Sequence, residues 1–454
     1  APPHFDARLT WEINRGHDWV LLARAGRPAA LLASLASWRA ANPLGIGINW
    51  ASAMEAAIRI HSLGWVAALT DATIVREHVG AMLHEHSVFV GRNLSRYSSA
   101  NNHLIVELSA LAVASRVLWS RPHARALAEL EVEVARQVYA DGVNAEMATH
   151  YHAFVLEAVL LVTQLERTCG TPRPSLEAIA RRMADYLWHL RTASGAYLEQ
   201  GDSDDGKIIP LLDVDALVAA AHADTLFGGA PPPPPTRSRL FRDSGQVVLR
   251  SPRLHVTFDA GPFGYGSLAA HAHCDALAVN VAIDGKPFLV DRGTYRYNGD
   301  RAARDRFRMT AAHNTLQVDG REQAQPAGPF LWRTRPTVTL ERCDLGDDRD
   351  VVVASHDGFG TRHRRTLVRE GDVLVIIDEC AAPATIRWHL APDADARALH
   401  TVQTATARTT QHSPRYAATV PATTLEVSTG GRTCTAAVGN GDLTGAVRRL
   451  GGRP

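Results

Sequence analysis

Lysine is almost missing from this chain. Lys207 and Lys286 are the only two, so nearly all of the 48 basic side chains are arginine. Genome base composition is the plain cause of such a bias. A smaller share fits bidentate grip on carboxylate or sulfate groups. Excess charge is missing too. The formal net charge is +1, so no bulk field draws nucleic acid and none is expected as a partner. No apolar run approaches the roughly 20 residues of a membrane span. The sequence opens at Ala1 with no signal-peptide pattern in view, and the residues alone set no compartment. The five cysteines, Cys169, Cys274, Cys343, Cys380 and Cys434, are scattered and odd in number. They form no CxxC pair and no disulfide framework, which predicts mostly free, buried thiols. No HExxH motif is present either, which removes the commonest helical zinc-hydrolase signature.

What remains is a chain of ordinary globular composition, 46% hydrophobic and 21% charged over 454 residues. That length suits two domains rather than one core. The first half has the helical period. LIVELSALAVASRVL (104–118), HAFVLEAVLLVTQLERT (152–168) and LEAIARRMADYLWHLRT (176–192) carry apolar residues at three- and four-residue intervals, and alanine and leucine favour helix. Successive helical hairpins imply a bundle, a solenoid or a toroid. At 228–235 the chain reads GGAPPPPP, a stiff extended spacer. Beyond it come short alternating runs such as GQVVLRS, LHVTFDA and DVVVASHDG, punctuated by Gly and Asp. These are the marks of an antiparallel sandwich. REGDVLVIIDEC reads as two strands meeting at a Gly-Asp turn. The predicted fold class is therefore α+β multidomain: a helical domain over 1–228, a proline-rich linker over 229–236 and an antiparallel β domain over 237–454.

One stretch of the β half is unusually rich in metal-ligating types: HAHCDALAVNVAIDGKPFLVDRGTYRY from 271, then AAHNTLQVDG. His271 and His273 are two apart, so extended backbone projects both imidazoles to one face. Asp291 follows one strand-like run, and His313 precedes another. Adjacent strands can thus gather His273, Asp291 and His313. Two imidazoles and a carboxylate suit a divalent metal, most naturally zinc with water as a further ligand. On spacing alone they equally suit satisfied polar groups at strand ends. A zinc hydrolase using these residues needs an open metal position and a nearby base.

These two stretches resemble the β-domain signature of the heparinase II/III-like polysaccharide lyases. RLTWEINRGHDWVLLARA, NPLGIGINWASAMEAAIRI, SSANNHLIVELSAL and EMATHYHAF resemble that family's N-terminal domain in the same order. The resemblance implies an incomplete α/α toroid followed by an antiparallel β-sandwich, with the active cleft between them. It implies a structural metal, usually zinc, on His273, Asp291 and His313, and His271 as the catalytic histidine beside it. It implies an acidic polysaccharide as substrate and a periplasmic or secreted location. Nothing in the sequence sets an oligomeric state. Cys274 departs from the small residues familiar at its position and is expected to pack as a small hydrophobe.

In the helical half, Asn101, Asn102 and His103 stand where a helix begins, after Ser98 and Ser99 as candidate caps. Asparagine there serves either as a cap or as a donor to an anion. The resemblance maps Asn102 to the group that binds the uronate carboxylate, with Asn101 or His103 sharing the task. It makes Tyr151 the proton-transfer residue, although an isolated tyrosine is ordinarily core with its hydroxyl bonded. Glu146 and His152 read as supports beside it, Glu146 within reach of substrate. Tyr297, rather than Tyr295, is the choice for a second catalytic tyrosine, and Arg308 for holding an acidic group nearby. Trp50 and Arg59 either hold a sugar by stacking and charge or stitch helices together. Asp202, Asp204 and Asp205 in YLEQGDSDDGK lack EF-hand spacing and read as a turn, with calcium as the lesser alternative. The function expected is β-elimination on a 4-linked uronate polymer. The competing reading is a non-catalytic glycan-binding or exopolysaccharide-assembly protein on the same fold.

Overall fold

The computed structural model describes residues 5–97, 99–223, 225–429 and 433–450; Ser98 lies outside them. The chain forms two compact units. The first takes the described residues up to Asn144, with Tyr151–Asp185 and Gly206–Pro232. The second takes Ala145–His150, Tyr186–Asp205 and the described residues from Pro233 onward. The division falls inside the proline run, but it is not a single cut. Two segments that precede the run belong with the strands, because their backbones are bonded there. Thr149 N donates to Gln200 O at 3.0 Å, and Asp202 N to His271 O at 3.1 Å. Asn280 Nδ2 donates to Glu199 O at 2.8 Å.

The first unit is helical. The three periodic stretches form Asn102–Trp119, Thr149–Thr168 and Pro174–Leu190. Helix Asn102–Trp119 is buried over most of its length, as its nearly all-round apolar sequence requires. It packs closely on Ala53–Leu69: a Cβ added at Gly64 would lie 2.8 Å from Val113 Cγ1, so glycine is needed there.

The second unit consists of antiparallel sheets. A five-stranded sheet includes Gln246–Arg250, Leu254–Asp259, Val279–Ile283 and Lys286–Leu289. A six-stranded sheet includes Arg349–His356, His363–Glu370 and Val373–Cys380. A four-stranded sheet includes Leu316–Val318 and Ala384–His389. The period of two sorts the six-stranded sheet. Val352, Leu367, Leu374 and Ile376 join Val256, Phe258, Val281, Ile386 and Trp388 in the main core. Their neighbours Val351, Val353, Val368, Val375 and Ile377 turn to the other face, under Leu443, Ala446 and Leu450 of a C-terminal helix. Glu370 pairs with Val373 across the expected Gly-Asp turn. Gly371, at φ 53°, supplies the positive φ wanted at the first central position.

After the histidine stretch the chain enters the sheet at Val279. Leu277 has φ 59°, and Ala278 N donates to Asp275 O at 2.8 Å. The chain therefore turns just before entering the sheet, and this turn aims Asp275 inward. Among the cysteines whose side chains are described, all are free: Cys274 and Cys380 are buried, Cys343 is half-buried and Cys169 is exposed. Burial pushes the Cys274 thiol well above its ordinary value, so it stays protonated and packs as a hydrophobe beside Ala269, Ala272 and Trp332. No helix among the described residues is long and apolar enough to cross a membrane.

Candidate active site and metal centre

The second unit gathers the opening histidine stretch into one buried cluster. His273, Asp275, Asp291 and His313 each offer a ligand atom, and these atoms lie within 4.8 Å of one another. Asp275 is an addition to the expected set. His313 Nδ1 stands 2.8 Å from Asp291 Oδ2, whose other oxygen accepts from Gly293 N at 2.8 Å. His273 Nδ1 and His313 Nε2 are buried with no hydrogen-bond partner. Two such imidazole nitrogens beside two carboxylates are expensive unless a cation completes them. The residues present therefore fit a divalent metal.

The charges say the same. Burial pushes Asp275 up, and Asp291 adds to the rise while His313 and His273 oppose it. For Asp291, burial is outweighed by the charges and hydrogen bond of His313 and His273, and its carboxyl is held low. Asp259 is pushed up to about 8 by burial and then by Asp275. Burial opposes the charge of His313, but Asp291 and Asp275 raise it overall. Carboxylates thus crowd a site where a bound cation would relieve them. Asp291 also lines an open cavity of about 550 Å³ with Glu199, Ser203, Asn280 and His412, which gives solvent a way to an otherwise buried cluster.

Behind the cluster, a buried polar network clamps the backbone that carries it. Arg365 Nη1 donates to Leu277 O and Asn314 O, both at 2.7 Å. These carbonyls are two residues after Asp275 and one after His313. The Arg365 Nε and Nη2 pair with Asp378 at 2.7 and 3.0 Å, and Asp378 Oδ1 is also 2.7 Å from His363 Nε2. Gln323 grips Ala276 twice, accepting from its N–H and donating to its carbonyl, each at 3.0 Å. Asp378→Ala would leave the Arg365 charge buried and alone. It should cost about 3–5 kcal/mol of stability and loosen metal binding as well. Urea unfolding with and without added metal measures both effects.

His271 stands beside the cluster and is buried. Its Nδ1 is 3.0 Å from Asp202 Oδ2, and its Nε2 is 3.5 Å from Glu146 Oε2. Asp202, expected only as part of a turn near the cleft, is 0% exposed and is the point where several side chains of this cluster meet. Its oxygens also meet His273 Nε2 at 2.9 Å, Thr294 Oγ1 at 3.2 Å and both terminal nitrogens of Arg304. Burial raises its carboxyl, but the Arg304 charge and the histidine hydrogen bonds outweigh that and hold it well below the usual range. No short motif announces this role. The one available signal was a carboxylate inside an otherwise buried-looking YLEQGD run.

Tyr297 is packed against His271, with ring centroids 6.3 Å apart. The Arg304 guanidinium lies 5.0 Å from the same ring, and Phe330 is 5.1 Å away. Tyr295 turns elsewhere, to Phe307 and Arg296.

Other expected residues are placed as follows. Asn101 caps the helix, its Oδ1 accepting from His103 N at 3.4 Å, and Asn102 is the first helical residue, fully buried. Tyr151 is buried in the helical unit beside Phe154. His152 bridges Asn144 N and Met183 O within that unit. Trp50 and Arg59 take the stitching role instead of the sugar-holding one. Trp50 packs on His86 and Phe89. Arg59 is 0% exposed, lies near the rings of Trp38 and Trp50, and donates to His86 Nε2 and Asn49 O. Arg308 is consumed likewise by Asp305, Gly328 O and Pro329 O, stacked on Trp332.

A helical unit followed by antiparallel sheets, with a buried His/Asp centre in the latter, defines a class of fold: a helical toroid followed by a β-sandwich. The particular family follows from comparison with known proteins. Residues 34–199 match the heparinase II/III N-terminus, and residues 233–439 match the heparinase II/III-like C-terminal domain. The chain belongs to the heparinase II/III-like family. Among solved structures, heparinase III is 16% identical with a TM-score of 0.70, over 95% of this chain and 76% of its own. A heparan sulfate lyase mutant from Pedobacter heparinus is 17% identical with a TM-score of 0.62, over 96% and 77%. Chondroitin AC lyase of Streptomyces coelicolor A3, in complex with chondroitin sulphate, is 12% identical with a TM-score of 0.56, over 94% and 72%. At these identities the likeness establishes the fold: the incomplete toroid and β-sandwich expected from the sequence. No curated protein matches the chain.

Proposed function

We propose that the protein cleaves a 4-linked, uronic-acid-containing polysaccharide by β-elimination, leaving a 4,5-unsaturated uronate end. A heparin- or heparan-sulfate-like glycosaminoglycan or a bacterial exopolysaccharide is the substrate class. The observation that carries this reading is His271 held at one carboxylate together with a histidine of the metal cluster, with Glu146 and Tyr297 beside it.

The C5 proton of a uronate is poorly acidic while the neighbouring carboxylate keeps its charge. Asn102 donates to that carboxylate and stabilises the charge that spreads onto it. A fixed donor of this kind is worth about 2.7–4 kcal/mol in the transition state. Tyr151 moves the proton, taking it from C5 or giving it to the departing glycosidic oxygen. His271 is the second base or stabilises the developing charge, and Tyr297 orients the sugar or shares the proton transfer. His273, Asp275, Asp291 and His313 would hold a divalent cation, and zinc suits two imidazoles with carboxylates. When bound, it would supply a fixed positive charge among the loop before Val279 and the segments carrying Asp291 and His313. A polymeric substrate of this kind favours a periplasmic or secreted location.

The test is a panel of heparan sulfate, heparin, chondroitin, hyaluronan, alginate and exopolysaccharide uronates, followed by the ultraviolet absorbance of the new C4–C5 double bond. At least one polymer should give a steady rise. A metal-loaded, folded protein that binds a polymer yet yields no chromophore on any of them would be a glycan-binding protein instead.

A further inference from the structure

We propose that Asp202 is a positioning residue that assigns opposite tautomers to His271 and His273, turning one imidazole toward substrate and the other toward the metal. The inference deepens the lyase reading and rests on it only for the role of His271.

The argument begins with the carboxylate. Asp202 is fully buried, and Arg304 donates to both its oxygens from a two-pronged guanidinium. A carboxylate clasped in this way is ionised, and an ionised carboxylate only accepts. Every other group at hydrogen-bond distance must therefore donate. The group at Oδ2 is His271 Nδ1, at 3.0 Å. The group at Oδ1 is His273 Nε2, at 2.9 Å. His271 thus carries its proton on Nδ1, and His273 on Nε2. Each neutral ring has one basic nitrogen left, and the two are on opposite atoms.

The consequences differ for the two rings. In His273 the basic nitrogen is Nδ1, the buried atom that lacks a hydrogen-bond partner on a residue of the metal cluster. Its lone pair is presented to a cation with no proton to displace. In His271 the basic nitrogen is Nε2. Glu146 Oε2 stands 3.5 Å away, too far for a direct hydrogen bond. A carboxylate that fixes tautomer and ring orientation commonly governs both metal affinity and base catalysis. Here a single carboxylate does both, because an alternate-residue spacing puts the two rings on its two oxygens. Arg304 also lies over Tyr297, so the same clasp seats the neighbouring phenol.

The experiment uses the full chain with ¹⁵N-labelled histidine, as isolated and after chelator treatment, in mildly alkaline buffer without substrate. Long-range ¹H–¹⁵N spectra report which ring nitrogen carries hydrogen. The expected result is Nδ1–H for His271 in both samples, and Nε2–H for His273 in the chelated sample. His271 protonated on Nε2, alone or on both nitrogens, would overturn the proposal, as would His273 protonated on Nδ1. A second arm replaces both charges together, Asp202→Asn with Arg304→Gln, so that no buried charge is left unpaired. Asparagine offers one acceptor and one donor where two acceptors stood, so one of the rings must flip. Metal affinity, measured with a competing chelator, should fall about 10–100-fold, or kcat should fall about 10²–10⁴-fold with KM little changed. A folded double variant with neither loss refutes the assignment. Failure of wild-type lyase activity with the expected tautomers would count against the lyase reading alone.

Discussion

Tyr151→Phe should lower kcat by about 10²–10⁴-fold while metal content stays at the wild-type level. The substitution removes one oxygen from a buried ring that packs beside Phe154. Ring volume is kept, so the packing penalty should stay below about 1.5 kcal/mol. Tyr151 contributes no atom to the cluster of His273, Asp275, Asp291 and His313, so nothing in the change loosens the metal. The measurements are initial rates on the polysaccharide that gives the strongest chromophore and metal content by mass spectrometry of the same sample. A variant with full turnover would transfer proton movement to His271 or Tyr297.

His273→Ala should lose metal and activity together. It deletes a ligand outright, so the fall in affinity should exceed the roughly 10–100-fold typical of removing an outer hydrogen-bond partner. Asp275 and Asp291 would then share a buried site with His313 as their chief counter-charge. Asp202 would lose one of its donors, disturbing the carboxylate that holds His271. Activity should therefore fall although His271 itself is intact. Chelation of the wild-type protein should reproduce the loss, and added zinc should rescue the wild type but not the variant. Wild-type affinity should also depend on pH with a definite sign. The metal needs neutral imidazole, and Asp291 and Asp275 raise the proton affinity of metal-free His313 above its ordinary value. Proton and metal compete for this ring, so affinity should rise as pH climbs through that raised range and fall on acidification. Isothermal titration in buffers of different ionisation enthalpy would count the protons released. A variant that kept its metal would remove His273 from the ligand set.

The legible parts of the site were those written within a short span. His273, Asp291 and His313 lie at the ends of strand-like runs, and strand geometry brings such ends together. Asp275 stood in the same stretch, but only the turn at Leu277 aims it inward. Arg59 and Trp50 show the opposite failure. Their residue types suit a sugar, yet the aromatic cluster of Trp38, Trp50 and His86 encloses the guanidinium. Type and spacing do not reveal which face of a helix is covered. The proline run marked the change of architecture. It did not reveal that Tyr186–Asp205 is bonded into the strand-bearing unit, because backbone pairing between distant segments leaves no periodic trace.

The sequence by itself determined the helical period of the first half, the alternating period of the second, the turns between strands, and the run that supplies three candidate metal ligands. These are local properties: side-chain direction repeats every few residues, and the pattern of burial is written in that repeat. Only the tertiary structure decided that Asp202 meets His271, His273 and Arg304 at one buried point. Those partners lie 69, 71 and 102 residues away along the chain. A buried carboxylate is stable only where enough donors converge on it, and that convergence belongs to the folded chain rather than to any stretch of it.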